Sequence, residues 1–326
     1  MAAVRAVAAG EAGVAADGGD GMGTNMKQDT IRTRVRGGLA CASLAVAAAF
    51  APLGVHAQER FATPEAAADA LVDGIARHDG ARVREVLGPR ADRVLPKSVG
   101  EHDKLRFLEA WAQGHRIVGR TDARAMVEVG THGWTLPIPL AHDSGGWSFD
   151  LVAAVDEMRA RRIGRNELAA IQVSLAYVDA QREYVERDWD GDGVKSYAQR
   201  AISTRGRHDG LYWASLPGEP ESPLGPAFAD ATPGMPYHGY AYRILTAQGA
   251  AAAGGAKNYV ANGRMTGGFA LVAWPAKYGD TGVMTFIVNQ DGVVYQRDLG
   301  PDTATRARAL RAFDPGPGWE RADTGQ

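Results

Sequence analysis

A helical pattern of apolar residues occupies the middle of this 326-residue chain, from Val155 to Arg187, and after Asn166 it places Leu168, Ile171, Leu175, Val178 and Val185 on one stripe. An element of that length must bury its stripe along a broad apolar surface. It is too polar to cross a membrane, so a β-sheet is its expected partner. Arg159, Arg161, Arg162 and Arg165 bunch around Gly164, and Asn166 suits a helix start. The spacing therefore predicts a bend over Arg161 to Arg165, joining two domains. The arginines read as a solvated face or an interdomain salt-bridge set before they read as a receptor for an anion.

Ahead of this segment the period is first helical and then strand-like. Thr63-Pro64-Glu65 is a helix start, with a capping hydroxyl, a proline suited to the first turn and an acid facing the positive helix end. That helix is expected to run to about Arg77, with Ala67, Ala68, Leu71 and Ile75 inward. A short helix with Val83, Val86 and Leu87 follows. A third, Asp103 to Gln113, has Leu105, Leu108 and Trp111 or Ala112 at helical spacing. Strands are expected at Arg116 to Val118, Ala123 to Val129, Trp134 to Leu140 and Trp147 to Leu151, with Pro137 and Pro139 demoting the third to an edge. Helices followed by a curved antiparallel sheet resemble the nuclear transport factor 2-like fold, which implies a small cone with a pocket between sheet and helices.

Beyond the long helix, a short helical piece is expected from Ser196 to Ile202. Leu216 to Pro236, rich in proline and glycine, reads as an ordered loop or linker. Four strand candidates follow: Tyr237 to Thr246, Gly268 to Trp274, Val283 to Asn289 and Val293 to Asp298. Asp291-Gly292 signals a tight hairpin between the last two. A helix from Thr303 to Phe313 closes the pattern.

The N-terminal region suggests export. Lys27, Arg32, Arg34 and Arg36 precede an apolar run from Gly37 to Leu53, and Val55-His56-Ala57 offers small residues to a signal peptidase. Cleavage after Ala57 is expected, with Met26 as the start codon, giving a periplasmic or secreted protein with no membrane span. The single cysteine, Cys41, lies in that leader, so a processed chain forms no disulfide and has no cysteine nucleophile. Removing five basic and four acidic residues with the leader leaves a net charge of −3 from the 36 Lys+Arg and 38 Asp+Glu. That balance argues against nucleic acid as a partner, because phosphate binding needs a concentrated basic face.

Asp188-Trp189-Asp190-Gly191-Asp192-Gly193 is the stretch with most chemistry. Three carboxylates at alternate positions, followed by glycine, can wrap oxygen ligands around Ca²⁺, with the Val194 carbonyl, Ser196 and Gln199 as further candidate metal ligands. Gln199 stands where a calcium-binding helix-loop-helix has a bidentate glutamate, so affinity would be weak. In the alternative reading Asp and Gly serve backbone geometry alone, and a nearby Arg or Lys balances the charge. His238, between tyrosines on an expected strand, is a candidate base or a half-buried histidine held by a carbonyl. Tyr237, Tyr240, Tyr242, Phe269, Trp274 and Phe286 form aromatic ladders suited to sheet packing or to lining a groove. Nucleophile elbow, phosphate loop, zinc helix and dinucleotide fingerprint are all missing.

Several separated blocks carry a resemblance. Arg161 to Glu167, Tyr177 to Tyr184, Tyr237 to Tyr240, Gly267 to Ala270 and Thr285 to Gly292 are similar to the bacterial family catalogued as domain of unknown function 2950, which implies export but no known activity. The second half also resembles the globular heads of type II secretion pseudopilins and pilin-like proteins, in which one long helix lies across an antiparallel meander.

These readings combine into an α+β protein with a leader over 1–57, a transport-factor-like domain over 58–160 and a pilin-like domain over 161–326. The expected function is non-catalytic binding or assembly in the cell envelope, with an envelope protein or small ligand as partner. The alternatives are an envelope hydrolase working between the domains and a calcium-tuned adhesion module.

Overall fold

The computed structural model describes residues 58–324, apart from 216, 229–231 and 233, so the expected leader lies outside the described residues. Helix α1 spans Pro64–Ala76, and the Thr63 hydroxyl accepts from the Ala66 amide at 3.1 Å, as its sequence start requires. Asp79 caps α2, Gly80–Leu87, through the amides of Ala81 and Arg82. A single turn, α3, covers Ala91–Val94. Helix α4, Glu101–Gln113, contains no fully buried residue. Its inward side is Phe107, Ala110 and Trp111, while Leu105 is exposed, so the expected stripe through Leu105 and Leu108 is rotated.

Strands β1 (His115–Val118), β2 (Arg124–Val129), β3 (Trp134–Thr135), β4 (Leu140–Asp143) and β5 (Gly146–Phe149) form one antiparallel sheet in the order β1-β2-β4-β5, with β3 also on β2. The segment expected as one edge strand from Trp134 to Leu140 is two short strands on the same neighbour. Pro137 and Pro139 lack the amides that would continue the ladder, and Ile138 between them is buried instead. The edge assignment holds for β3, which pairs only with β2, and fails at Leu140, where β4 pairs on both sides. The outer edge of β5 is covered by Phe61, which exchanges two 2.8 Å backbone hydrogen bonds with Trp147.

Helix α5, Leu151–Tyr184, is one uninterrupted element of 34 residues. Asp150 starts it earlier than the apolar pattern suggested, accepting from the amides of Val152 and Ala153 at 3.0 Å each. The expected bend at Arg161 to Arg165 is absent. Gly164 costs a helix interior only about 1 kcal/mol relative to alanine, and side chains on both flanks tie this stretch down. Asn166 does not cap; its side chain donates to the Thr281 carbonyl at 2.8 Å.

In the second half, β6 (Tyr240–Leu245), β7 (Ala247–Gln248), β8 (Lys257–Asn258), β9 (Val260–Ala261), β10 (Arg264–Met265), β11 (Ala270–Pro275), β12 (Met284–Asn289), β13 (Tyr295–Asp298), α6 (Thr303–Ala309) and β14 (Glu320–Arg321) follow in order. The main sheet is antiparallel, β14-β13-β12-β11-β6, and β7-β8 and β9-β10 are small ribbons. Every residue of β11 is buried, so both faces of the sheet are covered there. Helix α5 packs on β11 and β12, and α6 packs on β11.

Ser196 to Ile202 is not helical. The Ala198 amide donates to the Gln181 carboxamide at 2.8 Å, the Ala198 carbonyl accepts from it at 2.7 Å, and the Tyr197 amide bonds the Met265 carbonyl. These partners hold the segment extended. His238 is likewise not on a strand. With φ of 47° at His238 and 74° at Gly239, the pair forms a two-residue turn closed by Tyr237 and Tyr240, the geometry favoured by tight hairpins. At the other turn only Gly292 has positive φ, and β13 begins two residues later than its apolar pattern.

Two clusters of buried residues result. One gathers Ala67, Leu71, Val86, Val127, Leu140, Phe149 and their neighbours. The other gathers Tyr177, Tyr240, Phe269, Val272, Phe286 and theirs. Helix α5 contributes to both, Leu151 and Ala154 to the first and Ala170 to Tyr184 to the second. No helix among the described residues is long and apolar enough to cross a membrane.

Candidate functional site

The aspartate loop follows directly from the end of α5. Trp189 turns inward, donating to the Tyr184 carbonyl at 2.9 Å and packing against Tyr184, His208 and Trp213. This anchors the loop and leaves Asp188, Asp190 and Asp192 outside, where they offer oxygens within 4.8 Å of one another. Asp188 accepts from the amides of Gly191 and Gly193 at 2.9 and 2.7 Å, and Asp192 accepts from the Val194 amide at 2.9 Å. The amide of Gly193, with that of Gly191, holds the Asp188 carboxyl below the usual carboxylate range, despite partial desolvation.

The counter-charge is Arg264, on the β9-β10 ribbon. Its guanidinium reaches Asp190 at 3.0 Å and forms a second ion pair with Asp192. Sequence reasoning allowed for a nearby arginine but had no signal for this one, which lies far along the chain. Of the other candidate ligands, Val194 has an exposed side chain, Ser196 is half-buried beside Tyr197, and Gln199 donates to the Gly263 carbonyl at 2.8 Å. The structure thus brings together three carboxylates and an arginine, and turns the Gln199 amide toward the ribbon tip.

The arginine-rich stretch of α5 forms a second polar centre. Arg161 donates to the carbonyl and hydroxyl of Thr135, pairs with Glu157 and lies over the Trp134 ring. One position on, Arg162 points the other way and pairs with Asp280. Glu167 accepts from the amides of Val283 and Met284 at 2.8 and 3.0 Å. Gly239 sits against Asn166 so closely that a Cβ there would overlap its carboxamide. Two blocks noted in the sequence, Arg161 to Glu167 and Tyr237 to Tyr240, therefore meet. The polar groups of the first block are taken up by Thr135, Glu157 and Asp280 and by the backbone of residues 281–284.

The aromatic ladder is mostly interior: Tyr240, Phe269, Trp274 and Phe286 are buried. Burial pushes the Tyr240 hydroxyl well above its ordinary value, with Glu167 adding to the effect. A cavity of about 380 Å³ lies elsewhere, in the first half, with Gln58, Arg60, Arg90, Asp143, Ser148 and Asp150 in its lining. Arg60 bridges Asp143 and Ser148 across it.

These features define a mixed α+β protein of open antiparallel sheets, with its polar side chains gathered at loops and element junctions. The chain belongs to the family described as Protein of unknown function (DUF2950), whose model matches residues 58–322. No curated protein and no solved structure matches it.

Proposed function

We propose that this is an exported, non-catalytic binding or assembly protein of the cell envelope, built as a transport-factor-like half and a pilin-like half on one rigid helix. The observation that carries this reading is the pair Arg161 and Arg162: adjacent on α5, they clasp Thr135 of the first sheet and Asp280 beyond β11. Such a device fixes the two halves of the chain relative to each other. The pilin-like likeness is supported by a long helix packed on an antiparallel meander, and export by a family match that begins at the residue after the expected cleavage point.

In this reading the aspartate loop is architectural, with Arg264 as its cation. Ca²⁺ held by Asp188, Asp190, Asp192 and the Val194 carbonyl is the second reading, favoured by the closeness of the three carboxylates, and it requires Arg264 to move aside. Calorimetry separates them: the architectural reading predicts no saturable heat from Ca²⁺, whereas heat lost in Asp190→Ala establishes the ion. For the function itself, the protein is captured from its own envelope fraction, its N-terminus sequenced and its companions identified. A start at Gln58 and a stoichiometric envelope partner are expected. Retention in the cytosol, or turnover of a small substrate abolished by one substitution near the 380 Å³ cavity, overturns the proposal.

A further inference from the structure

The tip of the β9-β10 ribbon carries chemistry of its own. Ala261 pairs with Arg264, leaving Asn262-Gly263 as the entire turn, with φ of 51° and 78°. Both residues are exposed. Asparagine followed by glycine is the sequence in which a backbone amide most readily attacks the preceding carboxamide, because glycine places no side chain in the way. Asn262 is the only asparagine before glycine in the chain. We propose that Asn262-Gly263 is a site of spontaneous succinimide formation, and that its conversion releases the Arg264 clasp on the aspartate loop.

The Gly263 amide nitrogen attacks Cγ of Asn262. A Cγ–N bond forms, the bond from Cγ to Nδ2 breaks, and the nitrogen leaves as ammonia after taking up the proton the amide lost. Water then opens the ring at either carbonyl, giving aspartate or isoaspartate. Ring closure needs rotation about the Asn262 Cα–C bond, which the pairing of Ala261 with Arg264 on either side of the turn resists, so the reaction waits for local opening. Each strand of the ribbon is only two residues long; its base is held by the buried Tyr259 and Met265, and its tip only by the exposed Gln199 hydrogen bond and the ion pairs of Arg264, so such opening is a low-energy event.

The consequence follows from what the ribbon holds. Isoaspartate adds a backbone carbon to a two-residue turn and breaks the pairing of Ala261 with Arg264. Either product adds a carboxylate two residues from Arg264, competing with Asp190 and Asp192 for its guanidinium. The Gly263 carbonyl that Gln199 engages belongs to the same turn.

The test is incubation of the folded mature chain at neutral and mildly alkaline pH in heavy-oxygen water, followed by peptide mapping. Asn262 is expected to convert, more slowly than in an unfolded peptide of the same sequence, while the exposed Asn258, which precedes Tyr259, stays amidated. Hydrogen exchange at the amides of Gly191, Gly193 and Val194 is expected to rise severalfold in the converted fraction and to stay unchanged in Asn262→Gln treated identically. An Asn262 as inert as Asn258 overturns the proposal. Conversion that leaves exchange in the aspartate loop unaltered overturns it equally.

Discussion

Gln181 shows how much one buried polar side chain decides here. It is fully buried, and its carboxamide satisfies the Tyr177 hydroxyl and both backbone groups of Ala198. Gln181→Leu keeps the volume and strands an amide and a carbonyl, for an expected loss of about 2–4 kcal/mol measured by denaturant unfolding. Arg264→Ala acts differently. Its ion pairs lie at the surface, so global stability should fall by under about 1 kcal/mol, while exchange at Gly191, Gly193 and Val194 rises. The loop also responds to acid. Asp188 has a lowered folded value, so its contribution is complete above the ordinary 3.8 and disappears as pH falls through that lowered value. Backbone exchange or Trp189 fluorescence should report the loss, with no change between neutral pH and the ordinary carboxylate range.

Among the elements, α5 is where sequence reading did best and also went wrong. Its helical period and its partner sheet were legible, because the period is set by residues a turn apart, but of the expected stripe only Ile171 and Val178 are buried, Leu168 is exposed and Val185 falls just past the helix end. The false bend came from treating Gly164 and Asn166 as local punctuation. Gly164 is simply tolerated inside the helix, while its neighbours answer to residues distant in sequence: Asn166 binds Thr281, and Glu167 binds the start of β12. The same reason accounts for Ser196 to Ile202, whose extended form depends on Gln181 and Met265, and for Arg264, which no local pattern connects to the aspartates. Two glycines make the distinction testable. A Cβ at Gly164 meets nothing within 4 Å, so Gly164→Ala should stabilise by about 0.5–1 kcal/mol. Gly239→Ala should destabilise, since it forces a side chain into a left-handed turn and against Asn166. Thermal melts of the two variants are expected to move in opposite directions.

At the scale of the whole molecule, two apolar cores share one helix, which Arg161 ties to the first sheet and Arg162, Asn166 and Glu167 tie to the stretch between β11 and β12. The tyrosines report on the second core. Burial raises the hydroxyls of Tyr177, Tyr240 and Tyr242, and brings Tyr184 and Tyr259 up to about 12. Each is neutral when folded, so its contribution is complete below the ordinary 10.0 and is lost as pH rises from there through the folded values. Ultraviolet titration should accordingly show a late, cooperative ionisation that coincides with unfolding.

The rigid helix is tested most directly by a distance across its former breakpoint. The single native cysteine belongs to the expected leader, so a processed chain accepts spin labels cleanly at Val155→Cys and Glu183→Cys, both exposed. An unbroken α5 predicts one narrow distribution centred near about 40 Å at 1.5 Å per residue. A broad or markedly shorter distribution, as a hinge over Arg161 to Arg165 would produce, contradicts the account.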